Sequence, residues 1–278
     1  MRLFVDQLTN LDFSYLHPNR GLVGETWIAS IELEGELDEQ GMIVDFGKVK
    51  KTVRNWLDET IDHKLLVPSM AKQLTYDNSS SEQHKLSWDY DKGTLSTSAP
   101  MEAHCIIAAT AINMETVASY CIEALKQLFP ESVQSLRLRF EIENIPGPAY
   151  HYSHGLKKHD GNCQRICHGH RSKIEIWRNN ELDKNLMNDW ALSWADIYLG
   201  SEEDLYNSDD DRHHFSYKAQ QGEFAVSLPK NSCYLIGTDT TVELIALHIT
   251  RTLKAQHPNE IIEVKAYEGL SKGAIVKL

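Results

Sequence analysis

The sequence has no run of eighteen or more apolar residues, which excludes a transmembrane helix. It has no basic excess: Lys+Arg number 28 against 40 Asp+Glu, for a net charge of −12. A chain that binds nucleic-acid phosphates in general is normally basic, so that class is set aside. Met1 to Thr9 carries Arg2 and Asp6 among its apolar residues and has no small-residue cleavage site. It does not read as a signal peptide, and a cytoplasmic protein is expected. Cysteine is scarce and odd in number: Cys105, Cys121, Cys163, Cys167 and Cys233. In a reducing compartment these do not form a disulfide framework. The densest acidic stretch, Glu202 to Asp211, reads as a solvated loop without a function of its own. What is present is a 278-residue chain with 41% hydrophobic content, enough for one large domain or two modest ones with real cores.

The chain repeats itself. Met114-Glu115-Thr116-Val117-Ala118 and Val242-Glu243-Leu244-Ile245-Ala246 each open a helical pattern closed by a proline, Pro130 and Pro258. Val117, Cys121, Leu125 and Leu128 share the apolar face of the first helix; Ile245, Ile249 and Leu253 share that of the second. An alternating strand follows each proline, Leu136 to Glu141 and Ile262 to Glu268. Phe13 to Leu33 and Tyr150 to Trp177 read as the corresponding opening hairpins. Pro146-Gly147-Pro148 breaks any regular element between the copies. The expected units are 1–147 and 148–278, each an α+β unit of hairpin, helix, further strands and helix. In the first unit Phe46, Val49, Val53, Leu57 and Ile61 mark a helix capped by Asp45, which ends at Asp62-His63.

The chemistry concentrates in the second hairpin, where His154 is followed by Cys163, Cys167 and His168-Gly169-His170. On a strand His168 and His170 point to one face, and His154 on the preceding strand can join them. Three imidazoles with an open position describe a catalytic zinc site, and a cysteine beside it can serve as a base. Two other readings stand at this point: a chance cluster among the 13 histidines, or a structural zinc site using Cys163, Cys167 and two of the histidines.

His154, Cys163 and His168-Gly169-His170 resemble the opening motif of the 6-pyruvoyl/6-carboxy-tetrahydropterin synthase family. Asp62-His63 after an amphipathic helix, Glu115 and Glu243 at helix starts, and Glu141 and Glu268 at strand ends resemble its later blocks. The resemblance covers most of the chain, twice over, and is weakest from Trp190 to Ser232. It implies a tandem T-fold: two antiparallel sheets, each with two helices on one face. It implies Zn2+ on His154, His168 and His170, with Cys163 and the Asp62-His63 pair as acid/base groups. It implies a small pterin triphosphate as substrate, held by Glu268 or Glu141, with Glu243 and Thr241 at the start of the last helix. It also implies a homo-oligomer that uses neither nucleic acid nor membrane. The implied reaction converts 7,8-dihydroneopterin triphosphate to 6-carboxy-tetrahydropterin on the queuosine route. The 6-pyruvoyl reaction and an inactive pterin binder are the alternatives.

The copies depart from the family pattern in complementary ways. Val23-Gly24-Glu25 stands where the first unit would carry His-Gly-His, and the second unit has no Asp-His pair. One composite site and one zinc per chain are expected.

Overall fold

Alternating runs of β-branched and aromatic residues at each end of the chain open onto short amphipathic helices, and these patterns build one element order twice. The computed structural model of the chain describes residues 1–278. The first unit contains β1 (Arg2–His17), β2 (Gly21–Gly35), α1 (Phe46–Thr60), β3 (Leu65–Pro68), β4 (Leu74–Asp77), β5 (His84–Tyr90), β6 (Gly93–Ala99), β7 (His104–Ile107), α2 (Met114–Leu125) and β8 (Val133–Glu141). The second contains β9 (Ala149–His154), β10 (His168–Arg178), β11 (Glu181–Leu182), α3 (Lys184–Ser193), β12 (Ala195–Ser201), β13 (Leu205–Ser208), β14 (Arg212–Ala219), β15 (Gly222–Pro229), β16 (Cys233–Ile236), α4 (Val242–Gln256), β17 (Ile262–Tyr267) and β18 (Gly273–Lys277).

One sheet runs β7-β3-β1-β2-β8, and its counterpart runs β16-β12-β9-β10-β17-β18, the same order with an added edge strand. Two features differ from the expected pair of antiparallel sheets. The chain leaving each first helix returns alongside its own starting strand, so β1–β3, β3–β7, β9–β12 and β12–β16 pair in parallel. Both units also contribute three strands to a third sheet, β13-β14-β15-β6-β5-β4, joined by the antiparallel β6–β15 pair.

Asp45 caps α1 by accepting from the Lys48 amide, and Val49, Val53, Leu57 and Ile61 are buried beneath it. Phe46, in the first turn, stays 49% exposed. Leu128 is likewise outside the core, since α2 tightens into a 3-10 turn at Lys126–Leu128. Each unit has its own core between sheet and helices, and a third core, with Leu16, Trp88 and Leu95 from one unit and Tyr198, Phe215 and Phe224 from the other, lies against the shared sheet. No helix is long and apolar enough to cross a membrane.

The two opening hairpins cross closely enough to require glycine. A Cβ on Gly24 would lie 1.9 Å from the Tyr152 carbonyl oxygen, and one on Gly169 would lie 2.6 Å from the Gly24 Cα. Ser14 Oγ and Ser153 Oγ meet between them at 2.7 Å, fully buried. This crossing places the start of β10 against the end of β1.

Candidate active site

The β9–β10 register sets His154 opposite His168 and Tyr152 opposite His170. All three histidines are buried, and their candidate ligand atoms lie within 4.8 Å of one another. Two of the rings are held by hydrogen bonds at Nδ1, and the third faces a carboxylate without one. His154 Nδ1 sits 3.0 Å from Thr240 Oγ1 and 3.2 Å from its carbonyl oxygen, and His168 Nδ1 sits 3.0 Å from the Arg165 carbonyl. His170 Nδ1 lies 3.2 Å from Asp12 Oδ1, a carboxylate of the first unit. With the Nδ1–H groups of His154 and His168 directed at oxygens, their Nε2 atoms are left as acceptors, and His154 Nε2 meets His170 Nε2 at 3.2 Å, within hydrogen-bond distance. That contact needs a proton or a cation between the two nitrogens. Burial, and then the neighbouring imidazoles, hold His154 and His168 well below the ordinary histidine range. Neutral imidazoles fixed through their second nitrogen are the donor set that zinc takes.

A second cluster adjoins the first. His63, Cys163 and His168 also bring their ligand atoms within 4.8 Å, and the His63 and His168 rings are 4.9 Å apart. Cys163 comes from the loop 155–167 of the second unit, whereas His63 comes from the end of α1 in the first. His63 Nδ1 is 2.5 Å from Asp62 Oδ2, and Asp62 Oδ1 accepts from the Asp12 amide at 2.8 Å. Burial opposes a charged His63, but its bonds to Asp62 and Cys163 outweigh this and raise its pKa to about 10. Its backbone is left-handed, φ 53°, pinned by its amide donating to the Asp12 carbonyl.

The structure brings Asp62, His63, Cys163, His154, His168 and His170 together. Glu268 approaches from the end of β17, tied to Lys272 at 3.6 Å, which in turn reaches Asp12 at 3.4 Å. Glu141 and Glu243 are exposed and have no bond to this cluster. Thr241 caps α4, and its neighbour Thr240 faces His154. Cys167 is buried in the shared core and outside both ligand clusters, so the Cys163/Cys167 structural-zinc arrangement is not formed. Sequence reasoning missed Asp12, Thr240 and Lys272. Asp12 had a signal, lying three residues before the Tyr15 that stands in the place of His154, but its role depends on the crossing of the hairpins. Burial opposes ionisation of Asp12, yet His170 and Lys272 hold its carboxyl well below the usual range.

Three buried imidazoles beside Cys163, His63 and Asp62, built by two copies of an α+β unit, define a candidate metal-binding site in an internally duplicated fold. The chain belongs to the 6-pyruvoyl tetrahydropterin synthase family, whose model matches residues 10–145 and again 148–277. It is therefore a tandem fusion of two family units. It is similar to a Pyrococcus abyssi protein provisionally named a 6-carboxy-5,6,7,8-tetrahydropterin synthase, 28% identical over 129 residues, covering 46% of this chain and 73% of that one. A Rickettsia bellii 6-carboxy-5,6,7,8-tetrahydropterin synthase is 37% identical over 60 residues, covering 22% of this chain and 40% of that one. Among solved structures, a catalytic-residue mutant of Plasmodium vivax 6-pyruvoyltetrahydropterin synthase aligns with 51% of this chain and 90% of its own at 18% identity and a TM-score of 0.43.

Proposed function

We propose that the protein is a zinc-dependent lyase that converts 7,8-dihydroneopterin triphosphate to 6-carboxy-tetrahydropterin, in the supply of queuosine and related deazapurines. The observation that carries this reading is the convergence of three buried imidazoles with Cys163, His63 and Asp62. His154, His168 and His170 would hold the zinc, which supplies a Lewis acid that acidifies C–H and O–H groups beside the bound side-chain oxygens. Cys163 takes a proton from the substrate side chain. His63, fixed by Asp62 at Nδ1, presents its other nitrogen as the partner acid/base. Glu268 accepts hydrogen bonds from the pterin amino and ring N–H groups, with Lys272 setting its direction. One zinc per chain follows, because only one cluster of three imidazoles exists and the adjoining His63/Cys163 cluster shares His168 with it. A cytoplasmic homo-oligomer is part of the same proposal, since the open sheet edges invite pairing with further copies.

The test is incubation of the zinc-loaded protein with 7,8-dihydroneopterin triphosphate and identification of products by mass spectrometry. Release of acetaldehyde with the 6-carboxy product is expected. A 6-pyruvoyl product would move the reaction to the sister branch of the family. Tight pterin binding with no turnover would make the protein a binder instead of an enzyme.

A further inference from the structure

Cys163 sits in the loop 155–167, far longer than the loop 18–20 that joins the corresponding strands of the first unit. Its one regular piece is the 3-10 turn Gly161–Gln164, too short to hold a side chain in place by itself. The start of the loop is tied by Lys157 to Asp204 and by Lys158 to Glu203, at 2.5 and 3.0 Å. The part around the cysteine is held from the β14–β15 hairpin, whose tip carries Gln221. The Gln221 Nε2 donates to Asn162 Oδ1, its Oε1 accepts from Arg165 Nε, and its backbone amide donates to Gln164 Oε1, each at 3.0 Å. Beneath it Tyr217 Oη donates to the Gln164 carbonyl at 2.7 Å, and Gln164 is only 1% exposed. Residues on both sides of Cys163 are therefore bonded to one side chain. The thiol itself is left to face His63 and His168.

The matching hairpin of the first unit shows that the fold does not demand this. β5–β6 turns through Asp91 and Lys92 as β14–β15 turns through Gln220 and Gln221, with Gly93 and Gly222 at φ 131° and 134°. Trp88 stands in register with Tyr217, and its Nε1 donates to the His17 carbonyl at 3.1 Å, so each hairpin rests on the loop beneath it. Lys92 takes the place of Gln221, and it is exposed with no bond to that loop. A tip that bonds the loop occurs only over the cysteine.

We infer that Gln221 is a positioning residue that fixes Cys163 against His63, acting through the loop and not on the substrate. The inference rests on the reading of Cys163 and His63 as the acid/base pair. Bonds to residues 162, 164 and 165 set both the place and the rotation of the turn. Hydrogen bonds weaken steeply with distance and angle, so a small drift of this turn parts the thiol from the imidazole.

The test measures alkylation of Cys163 by iodoacetamide at one fixed pH in zinc-loaded protein, followed at that residue by mass spectrometry. An imidazole beside a thiol favours the reactive thiolate, so His63→Ala sets the rate of an unpaired Cys163. Gln221→Lys, which installs the residue of the other hairpin, should slow alkylation about ten-fold, toward that rate, with zinc content and the urea midpoint retained. Gln221→Glu should recover most of the parent rate, because its oxygens can accept from Arg165 and from the Asn162 amide turned over. In a His63→Ala background Gln221→Lys should change nothing further. Asn162→Ala removes one of the bonds from the loop side and should give a smaller slowing, which keeps the test open if Gln221→Lys folds poorly. A parent alkylation rate in both Gln221→Lys and Asn162→Ala overturns the inference. So does an equal effect with and without His63, since the hairpin would then alter only access to the thiol. In turnover kcat should fall with KM unchanged. Slowed alkylation with turnover at the parent rate would sustain the positioning and sink the acid/base pair. Reduced turnover with alkylation unchanged would do the reverse.

Discussion

The same backbone crossing is used twice in this molecule, with opposite chemistry. On one side His154, His168 and His170 face Asp12 and His63; on the other the register puts Tyr15, Val23 and Glu25 opposite His151 and Asp196. Asp12 touches His170 at 3.2 Å, and in the mirrored place His151 lies 4.0 Å from Glu25, so acid and imidazole have changed ends. His63 beside Cys163 is matched by Asp196 bonded to Arg20. His63 and Asp196 share a left-handed backbone, φ 53° and 57°. The strained conformation therefore belongs to the path from helix to returning strand and is not itself evidence of catalysis. What separates the two sides is polarity of function. One presents free imidazole and thiol groups to a common point, and the other ties each charged group to its neighbour. A duplicated fold retains its packing when one copy of a site loses its ligands, because the crossing glycines and the cores hold it together.

The largest effect that would break this contrast is on metal. His168→Ala should lose bound zinc and turnover together, whereas Val23→Ala should keep one zinc per chain. Metal analysis finding two per chain in the unaltered protein would mean that the Tyr15/Val23/Glu25 side also binds. Next in size are the acid/base groups. Cys163→Ala and His63→Ala should each lower kcat by about a hundred- to ten-thousand-fold with zinc retained, since neither is in the imidazole triad. Because His63 reaches Cys163 within one chain, mixing the two variants should restore nothing. Recovery on mixing would show that the working site forms between chains.

A smaller difference sharpens the comparison. Asp12→Ala removes the oxygen that faces His170 Nδ1 and should weaken zinc binding by about ten- to a hundred-fold. His151→Ala, the mirrored change, should leave zinc affinity where it is. Competition with a chromogenic chelator measures both, and equal losses would mean that the contact at Asp12 acts through general packing instead of through the ring.

Much of this was legible before the structure. The repeat showed because helix periodicity and closing prolines recur at matched positions, and periodicity is a local signal. His154, His168 and His170 showed because they occupy one hairpin, where alternation and register decide which side chains meet. Asp62-His63 and Cys163 were legible as types, but their meeting depends on two hairpins crossing, which no local pattern encodes. For the same reason Asp12 and Thr240 were missed: each acts on a ring carried by a distant strand. The shared third sheet was also hidden, since the pairing of β6 with β15 is set by how two whole units dock. Glu141 has sequence surroundings like those of Glu268, and only the structure separates the two, leaving Glu141 exposed at the end of β8 without a bond to the histidine cluster.

The smallest test concerns the silent side alone. Burial, partly opposed by the Thr26 amide and by Arg171 and Arg20, raises the Glu25 pKa to about 7. The folded protein therefore holds this proton more tightly than the unfolded chain, whose carboxyl titrates near 4.3. The linked stability is fully present below the unfolded value and is lost as pH rises through the folded one. Between about pH 4.5 and 7 Glu25 should remove on the order of 1–3 kcal/mol. His151 acts in the opposite sense: burial lowers its pKa to about 4, so its contribution is present above the unfolded value and lost as pH falls. The two trends overlap and offset each other in the unaltered protein. Glu25→Gln removes only the first, so its stability measured by urea denaturation should rise relative to the parent as pH increases from 5 to 8. Its zinc content should not change across that range. A parent and variant with parallel pH profiles would show that Glu25 is ionised in the folded state despite its burial. The silent side would then hold a live charge aimed at His151, and the contrast between the two sides would be one of ligand type alone.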